Sequence, residues 1–271
     1  MTKNPFTVYL RLLGFEAPPS GLDGLRQLIQ AHLYRIPFEN VSKLLLFAEE
    51  KRGRPIGIAE FLDNIQHHDL GGTCYTSNPF FAELLHECGY DAELLSADMN
   101  TPHVHSCIRV NLDGRAWHVD VGYASPFLEP VPLDSLPYAF ERGNMRWVFE
   151  RAADGRLACR EFTAGNEVHG YRVNEERRDY EFFRNIITDS FQRGRTFMGL
   201  LRLVRIFPDR TVELKNRTMR IHRGTSSTEA TLSSMEELRE AVNNLFLIPR
   251  CPVEKAVAIL REINGTDLFS E

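Results

Sequence analysis

The 271 residues suffice for one large domain or two to three small ones packed together. With 43% hydrophobic and 25% charged residues, the composition is that of a soluble globular chain able to bury a sizeable core. A net charge of −5 argues against nucleic acid or an anionic membrane surface as the main partner.

No stretch approaches the roughly 18 apolar residues of a membrane span, and the start of the chain lacks the apolar run of a signal peptide. Five cysteines, at positions 74, 88, 107, 159 and 251, form no CxxC pair, so neither a disulfide framework nor a zinc ribbon is indicated. A reduced, cytoplasmic setting is expected, with one of the thiols free to do chemistry. Arg193, Arg195, Arg202 and Arg205 form a basic cluster that suits either a phosphate-bearing small molecule or a solvated helical face.

In chain order, the first ninety residues read as helices. One spans 7–13 and is ended by Gly14. A second follows Ser20, which stands three before Asp23 as in a capping arrangement, and carries Leu25, Leu28, Ile29 and Leu33 at helical spacing. A third covers 58–65. A fourth holds Phe80, Phe81, Leu84, Leu85 and Cys88 and stops at Gly89. Because Pro79 would kink a helix begun at Thr73, the regular turns are expected from Ser77 or Asn78, with Cys74 in the tight turn before them.

From Asp91 the period changes to two. Strands are expected over 92–97, 104–112, 116–121, 146–151 and 157–162, favouring a small barrel or antiparallel sheet. Residues 182–188 are ambiguous, 199–207 and 211–214 read as strands, and 235–245 with 253–263 read as closing helices. The expected class is α+β in three regions: helices over 1–90, sheet over 91–198 and a mixed segment over 199–271.

Asp113-Gly114 between two alternating segments is a strong hairpin signal. As a two-residue loop it sets Leu112 opposite Arg115. Ile108, Val110, Trp117, Val119 and Val121 then share one apolar face. His105, Cys107, His118 and Asp120 share the other. His105 and Asp120 become diagonal neighbours about 7–8 Å apart, within side-chain reach. A merely solvated polar face has the same pattern, and His103 and His118 are rival bases. His103 and His105 also suggest a metal pair, which would need further ligands such as His67 and His68.

Gly71-Gly72-Thr73-Cys74 sets a cysteine after a sharp turn near a helix start. There the helix dipole favours a thiolate, and free N–H groups suit an oxyanion. Cys88, Cys107 and Cys159 sit in ordinary helix or strand patterns and fit buried, inert thiols. The order Cys, His, Asp fits the thiol triads of several enzyme families.

Four segments resemble the arylamine N-acetyltransferase family. They are Ile36-Pro37-Phe38-Glu39-Asn40; Gly71-Gly72-Thr73-Cys74-Tyr75 with Asn78 and Phe81; His105; and Trp117-His118-Val119-Asp120-Val121-Gly122-Tyr123 continuing to Pro130 and Pro132-Leu133. Four such segments in order, over nearly the whole chain, are specific.

The resemblance implies a helical bundle carrying the nucleophile, a central antiparallel β-barrel and an α/β lid, with a cysteine-protease-like core. It selects Cys74, His105 and Asp120 as catalytic residues and Phe38, Val104 and Tyr123 as acyl-pocket residues. It also implies ping-pong transfer from acetyl-CoA, through a thioester on Cys74, to an arylamine, hydrazine or N-hydroxyarylamine. Coenzyme A is then a substrate carrier passing near Thr101. No metal and no tightly bound cofactor are implied, and the protein would be a monomer or homodimer. Leu70 replaces the arginine of the family motif. Thr76, Ser77, Ala124 and Ser125 also depart from it, and Tyr123 stands where phenylalanine is usual. These departures leave open a related amide synthase or thiol hydrolase using another acyl donor, or a silent binding protein.

Overall fold

A computed structural model of the chain describes residues 4–265 and 267–269. Its N-terminal part holds α1 (Pro5–Leu12), α2 (Gly21–Arg35), a short β1 (Phe38–Glu39), α3 (Val41–Glu50), α4 (Ile58–His68) and α5 (Cys74–Glu87). The apolar stripe expected on the second helix is buried, with Leu25, Leu28, Ile29 and Leu33 facing the core. Ser20 is its N-cap residue but makes no side-chain capping bond.

Three features differ from the sequence reading. Neither the short strand β1 nor helix α3 is expected from the helical periodicity. The nucleophile-bearing helix starts at Cys74 rather than near Ser77, with Pro79 inside it. Proline costs one intrahelical bond, and here one tertiary and one local bond stiffen that first turn. Ser106 Oγ donates to the Cys74 carbonyl at 2.8 Å, and Thr76 Oγ1 lies 2.9 Å from the Gly71 carbonyl.

An eight-stranded antiparallel sheet follows: β2 (Asp91–Asp98), β3 (His105–Leu112), β4 (Arg115–Val119), β5 (Val131–Pro132), β6 (Tyr138–Arg142), β7 (Met145–Arg151), β8 (Leu157–Thr163) and β9 (Asn166–Arg177). Their order across the sheet is β5-β4-β3-β2-β9-β8-β7-β6. Ala97, Cys107, Trp147, Phe149, Cys159 and Tyr171, from five of these strands, share one buried interior cluster, so the sheet rolls into a nearly closed barrel. The register Leu112↔Arg115, Val110↔Trp117, Ile108↔Val119 is the one the Asp113-Gly114 loop requires.

Beyond a 3₁₀ turn (Glu181–Phe183) lie α6 (Arg184–Asp189) and α7 (Thr196–Gly199), then β10 (Arg202–Ile206), β11 (Thr211–Lys215), β12 (Thr218–Arg223), β13 (Ser226–Thr231), α8 (Met235–Asn244) and α9 (Val253–Asn264). The strand expected from Gly199 therefore begins three residues later, after a helical turn. β1 joins this second sheet through Phe38↔Val204 and Glu39↔Leu203. No helix among the described residues is long and apolar enough to cross a membrane.

Candidate active site

The hairpin β3–β4 is buried on both faces. Ile108, Val110, Val119 and Val121 pack into the helical core, while Cys107 joins the barrel interior. His105, His118 and Asp120, polar residues that alternation alone leaves on a solvated face, are each at most 2% exposed. Such groups must find partners or cost several kcal/mol (roughly 2–7 for an unpaired amide or hydroxyl).

They do. His105 Nε2 lies 2.7 Å from Asp120 Oδ2. Asp120 Oδ1 accepts from Asn78 Nδ2 at 2.8 Å and from the Gly122 N–H at 2.9 Å. Burial works against the imidazolium, yet the charge and hydrogen bond of Asp120, with the Cys74 side chain adding to them, carry His105 up to about 10. Burial pushes the Asp120 carboxyl up, and His105 with Asn78 brings it below its ordinary value. The rival histidines are engaged elsewhere. His118 Nε2 meets the Tyr171 hydroxyl at 2.8 Å, and burial lowers it to about 4. His103 Nδ1 meets Ser96 Oγ at 2.9 Å. Among the described residues no three His, Cys, Asp or Glu gather as a metal set.

Cys74, the first residue of α5, is tied to the neighbour of His105 by the 2.8 Å bond from Ser106 Oγ to its carbonyl, and its side chain helps to raise the imidazole. Asn78, one turn later, ties helix to hairpin: its Nδ2 donates to the Ser106 carbonyl at 2.6 Å and its Oδ1 accepts from the Val121 N–H at 2.9 Å. Gly122 closes the join, since a Cβ there would stand 2.7 Å from Cys74 Cα and 2.6 Å from Asn78 Nδ2. On the other side, Glu39 Oε1 accepts from the Gly72 N–H at 2.6 Å and from Ser42 Oγ at 2.8 Å. Serine and backbone thus satisfy the carboxylate where Leu70, itself buried, offers no guanidinium.

A family model described as N-acetyltransferase matches residues 21–250. The chain belongs to the arylamine N-acetyltransferase family. It is 24% identical over 253 residues to an arylamine N-acetyltransferase of Mycolicibacterium smegmatis, covering 88% of this chain and 90% of that one. It is 33% identical over 123 residues to proansamycin X synthase of Amycolatopsis mediterranei, covering 41% of this chain and 45% of that protein. The fold is shared with the Mycobacterium marinum arylamine N-acetyltransferase solved in complex with CoA, at a TM-score of 0.81 and 20% identity, covering 95% of this chain and 99% of that one.

The remaining residues singled out in the sequence of this acetyltransferase have their own surroundings. The Phe38 ring packs edge-on against Phe197 at 5.6 Å. The Val104 carbonyl accepts from the Tyr75 hydroxyl at 2.9 Å. Tyr123 places its ring 5.6 Å from that of His105 and its hydroxyl 2.6 Å from His169 Nδ1. Thr101 is exposed on the loop before β3, where its carbonyl accepts from the Met99 N–H. Ala124 takes φ +66°, a left-handed conformation for which glycine is better suited. Two open hollows, of about 290 and 460 Å³, lie at the hairpin end and beside His103, and neither is lined by Cys74, His105 or Asp120. Ser106, Tyr171 and His169 are the partners that no motif or spacing announced.

Proposed function

We propose that the protein transfers an acetyl group from acetyl-CoA to an arylamine, hydrazine or N-hydroxyarylamine by a ping-pong route through Cys74. The reading rests on one observation: a thiol at the first position of a helix, set against an imidazole whose far nitrogen holds a buried aspartate at 2.7 Å. The Cys74 thiolate attacks the thioester carbonyl. The N–H groups of Cys74 and Tyr75, which open α5, face the developing oxyanion, while those of Thr76 and Ser77 already donate to the Thr73 carbonyl. His105, as imidazolium, gives its proton to the departing CoA sulfur. The incoming amine then attacks the acyl-Cys74 carbonyl and loses a proton to the imidazole, and the thiolate leaves. Asp120 holds the ring in register and meets its positive charge.

Incubation with acetyl-CoA alone should leave one acetyl group on Cys74 by intact mass, and an arylamine should discharge it. An alkylatable thiol that takes up no acetyl group would sink the reading. A second reading is a related amide synthase using another acyl donor, in keeping with the similarity to a protein described as a synthase. It predicts that other thioesters, but not acetyl-CoA, load Cys74.

A further inference from the structure

The barrel interior has another end. Along β3 the inward-facing residues are His105, Cys107 and Arg109, so Arg109 stands four residues, or about 13 Å, from the catalytic pair. Across the hairpin Arg109 is paired with His118, two residues from Ala116 on the same inner face. Here lies the hollow of about 290 Å³, room for one small ring where drug-sized pockets run to about 300–1,000 Å³. Its floor is apolar: Leu95, Leu157 and Val173, with the ring of His118, are each at most 3% exposed.

Its opening is charged. Arg109, Arg115 and Arg151 line it together with Asp134 and Glu175. Both carboxylates are engaged, Asp134 accepting from Arg115 Nε and Nη2 at 2.7 Å each and Glu175 from Arg151 Nη1 at 2.6 Å. Glu93, the 2.7 Å partner of Arg109, does not line the hollow. The lining thus carries three guanidiniums against two carboxylates, in a chain of net charge −5. A guanidinium has five N–H donors, and half-exposed pairs such as those of Arg115 and Arg151 are weak enough to be shared. Arg115, laid over the Trp117 ring at 4.8 Å, is fixed at the edge.

We infer that this end of the barrel is a second binding site, for a small organic acid with an apolar ring or branched chain. The apolar part covers Leu95, Leu157 and Val173, and the carboxylate meets the arginines at the opening. An ammonium would face the surplus cation there, and a neutral amide would forgo the charge-assisted bond. The site lies outside the acyl-transfer machinery, so its test needs no turnover.

Calorimetric titration with cyclohexanecarboxylate, cyclohexanecarboxamide and acetate reads the head group and the apolar part separately. The ring acid should bind about tenfold more tightly than the amide and at least about tenfold more tightly than acetate, which buries no ring. Arg115→Gln/Arg151→Gln should bring the acid-to-amide ratio to near unity. Ala116→Phe, which sends a ring into the hollow from β4, should remove binding. Equal affinities for acid and amide, acetate binding as well as the ring acid, or no measurable binding would overturn the inference. A ratio that survives the arginine changes, or binding that survives Ala116→Phe, would do the same by placing the acid elsewhere. If Ala116→Phe does not fold, the variant of the two surface arginines decides.

Discussion

In the barrel, His105 Nε2 meets Asp120 Oδ2 at 2.7 Å; in the C-terminal sheet, His222 Nε2 lies 3.3 Å from Glu213 Oε1. Both histidines and both carboxylates are buried. The surroundings differ. Glu213 also holds Arg202 Nη2 at 2.8 Å, and although burial raises the carboxyl, Arg202 and His222 bring it down to about 2. Asp120 has no arginine or lysine within ion-pairing distance among the described residues, only the neutral donors of Asn78 and Gly122. Its charge therefore falls on His105, and no second cation competes for it.

The other nitrogen separates the pairs too. His222 Nδ1 reaches Ser227 Oγ at 2.7 Å, a hydroxyl already bonded to the side chain and backbone of Asn144. That arrangement ties the β12–β13 hairpin to the β6–β7 turn. His105 instead has beside it the thiol at the start of α5, a nucleophilic atom that also acts on the imidazole. A histidine beside a carboxylate becomes a proton-transfer unit when the carboxylate lacks another cation and the far nitrogen meets a group with a proton to give.

The largest effects should come from the thiol and the barrel pair beside it. Cys74→Ala should abolish the acetyl adduct, and Asp120→Asn should lower kcat/KM by about 10³-fold while leaving the fold intact by circular dichroism. An Asp120→Asn protein within tenfold of native activity would erase the distinction between the pairs. Asn78→Ala comes next. It unties Asp120, Ser106 and Val121 together, so stability should drop by about 1–3 kcal/mol in urea melts. Turnover should fall about 10²-fold as helix and hairpin lose register.

The hairpin half of the site was legible in the sequence because a two-residue Asp-Gly loop leaves one register, and register fixes which side chains are neighbours. What lies over the polar face was not legible. Alternation marks His105, Cys107, His118 and Asp120 as sharing a side, but a barrel interior carrying Trp147, Cys159 and Tyr171 is assembled from strands far along the chain. The start of α5 was misplaced for a related reason: Pro79 lowers local helix propensity, while the bonds from Ser106 and Asn78 that hold the first turn are tertiary. Lys43 reads as an ordinary surface lysine of an unforeseen helix, and only packing against Ser190 and Phe191 shows it buried.

The pH dependence of stability should tell the pairs apart from opposite ends. His105 has its folded value raised to about 10 against about 6.5 unfolded, so its contribution is full below about pH 6.5 and is lost as pH rises toward 10. Glu213 is lowered to about 2 in the fold, so its contribution is present above its ordinary carboxylate range and lost as pH falls toward 2. Thermal melts should show His105→Gln flattening the alkaline fall in Tm while leaving most of the acid limb. An unchanged alkaline limb in that variant would mean that the barrel pair does not hold the imidazolium.

The smallest effect on turnover is expected at Glu213. Glu213→Gln keeps the volume and one hydrogen-bond acceptor but leaves Arg202, about one-fifth exposed, without its counter-charge. Partial exposure lets water take up part of that loss, so the cost should be about 1–2 kcal/mol rather than that of a fully buried broken pair. Acetyl transfer should stay within about threefold of native, because Arg202 and His222 touch neither the thiol nor the hairpin that carries His105. A large loss of kcat with an unchanged melting curve would show that charge in the C-terminal sheet reaches the reacting atoms, and the contrast between a structural and a chemical histidine pair would fail there.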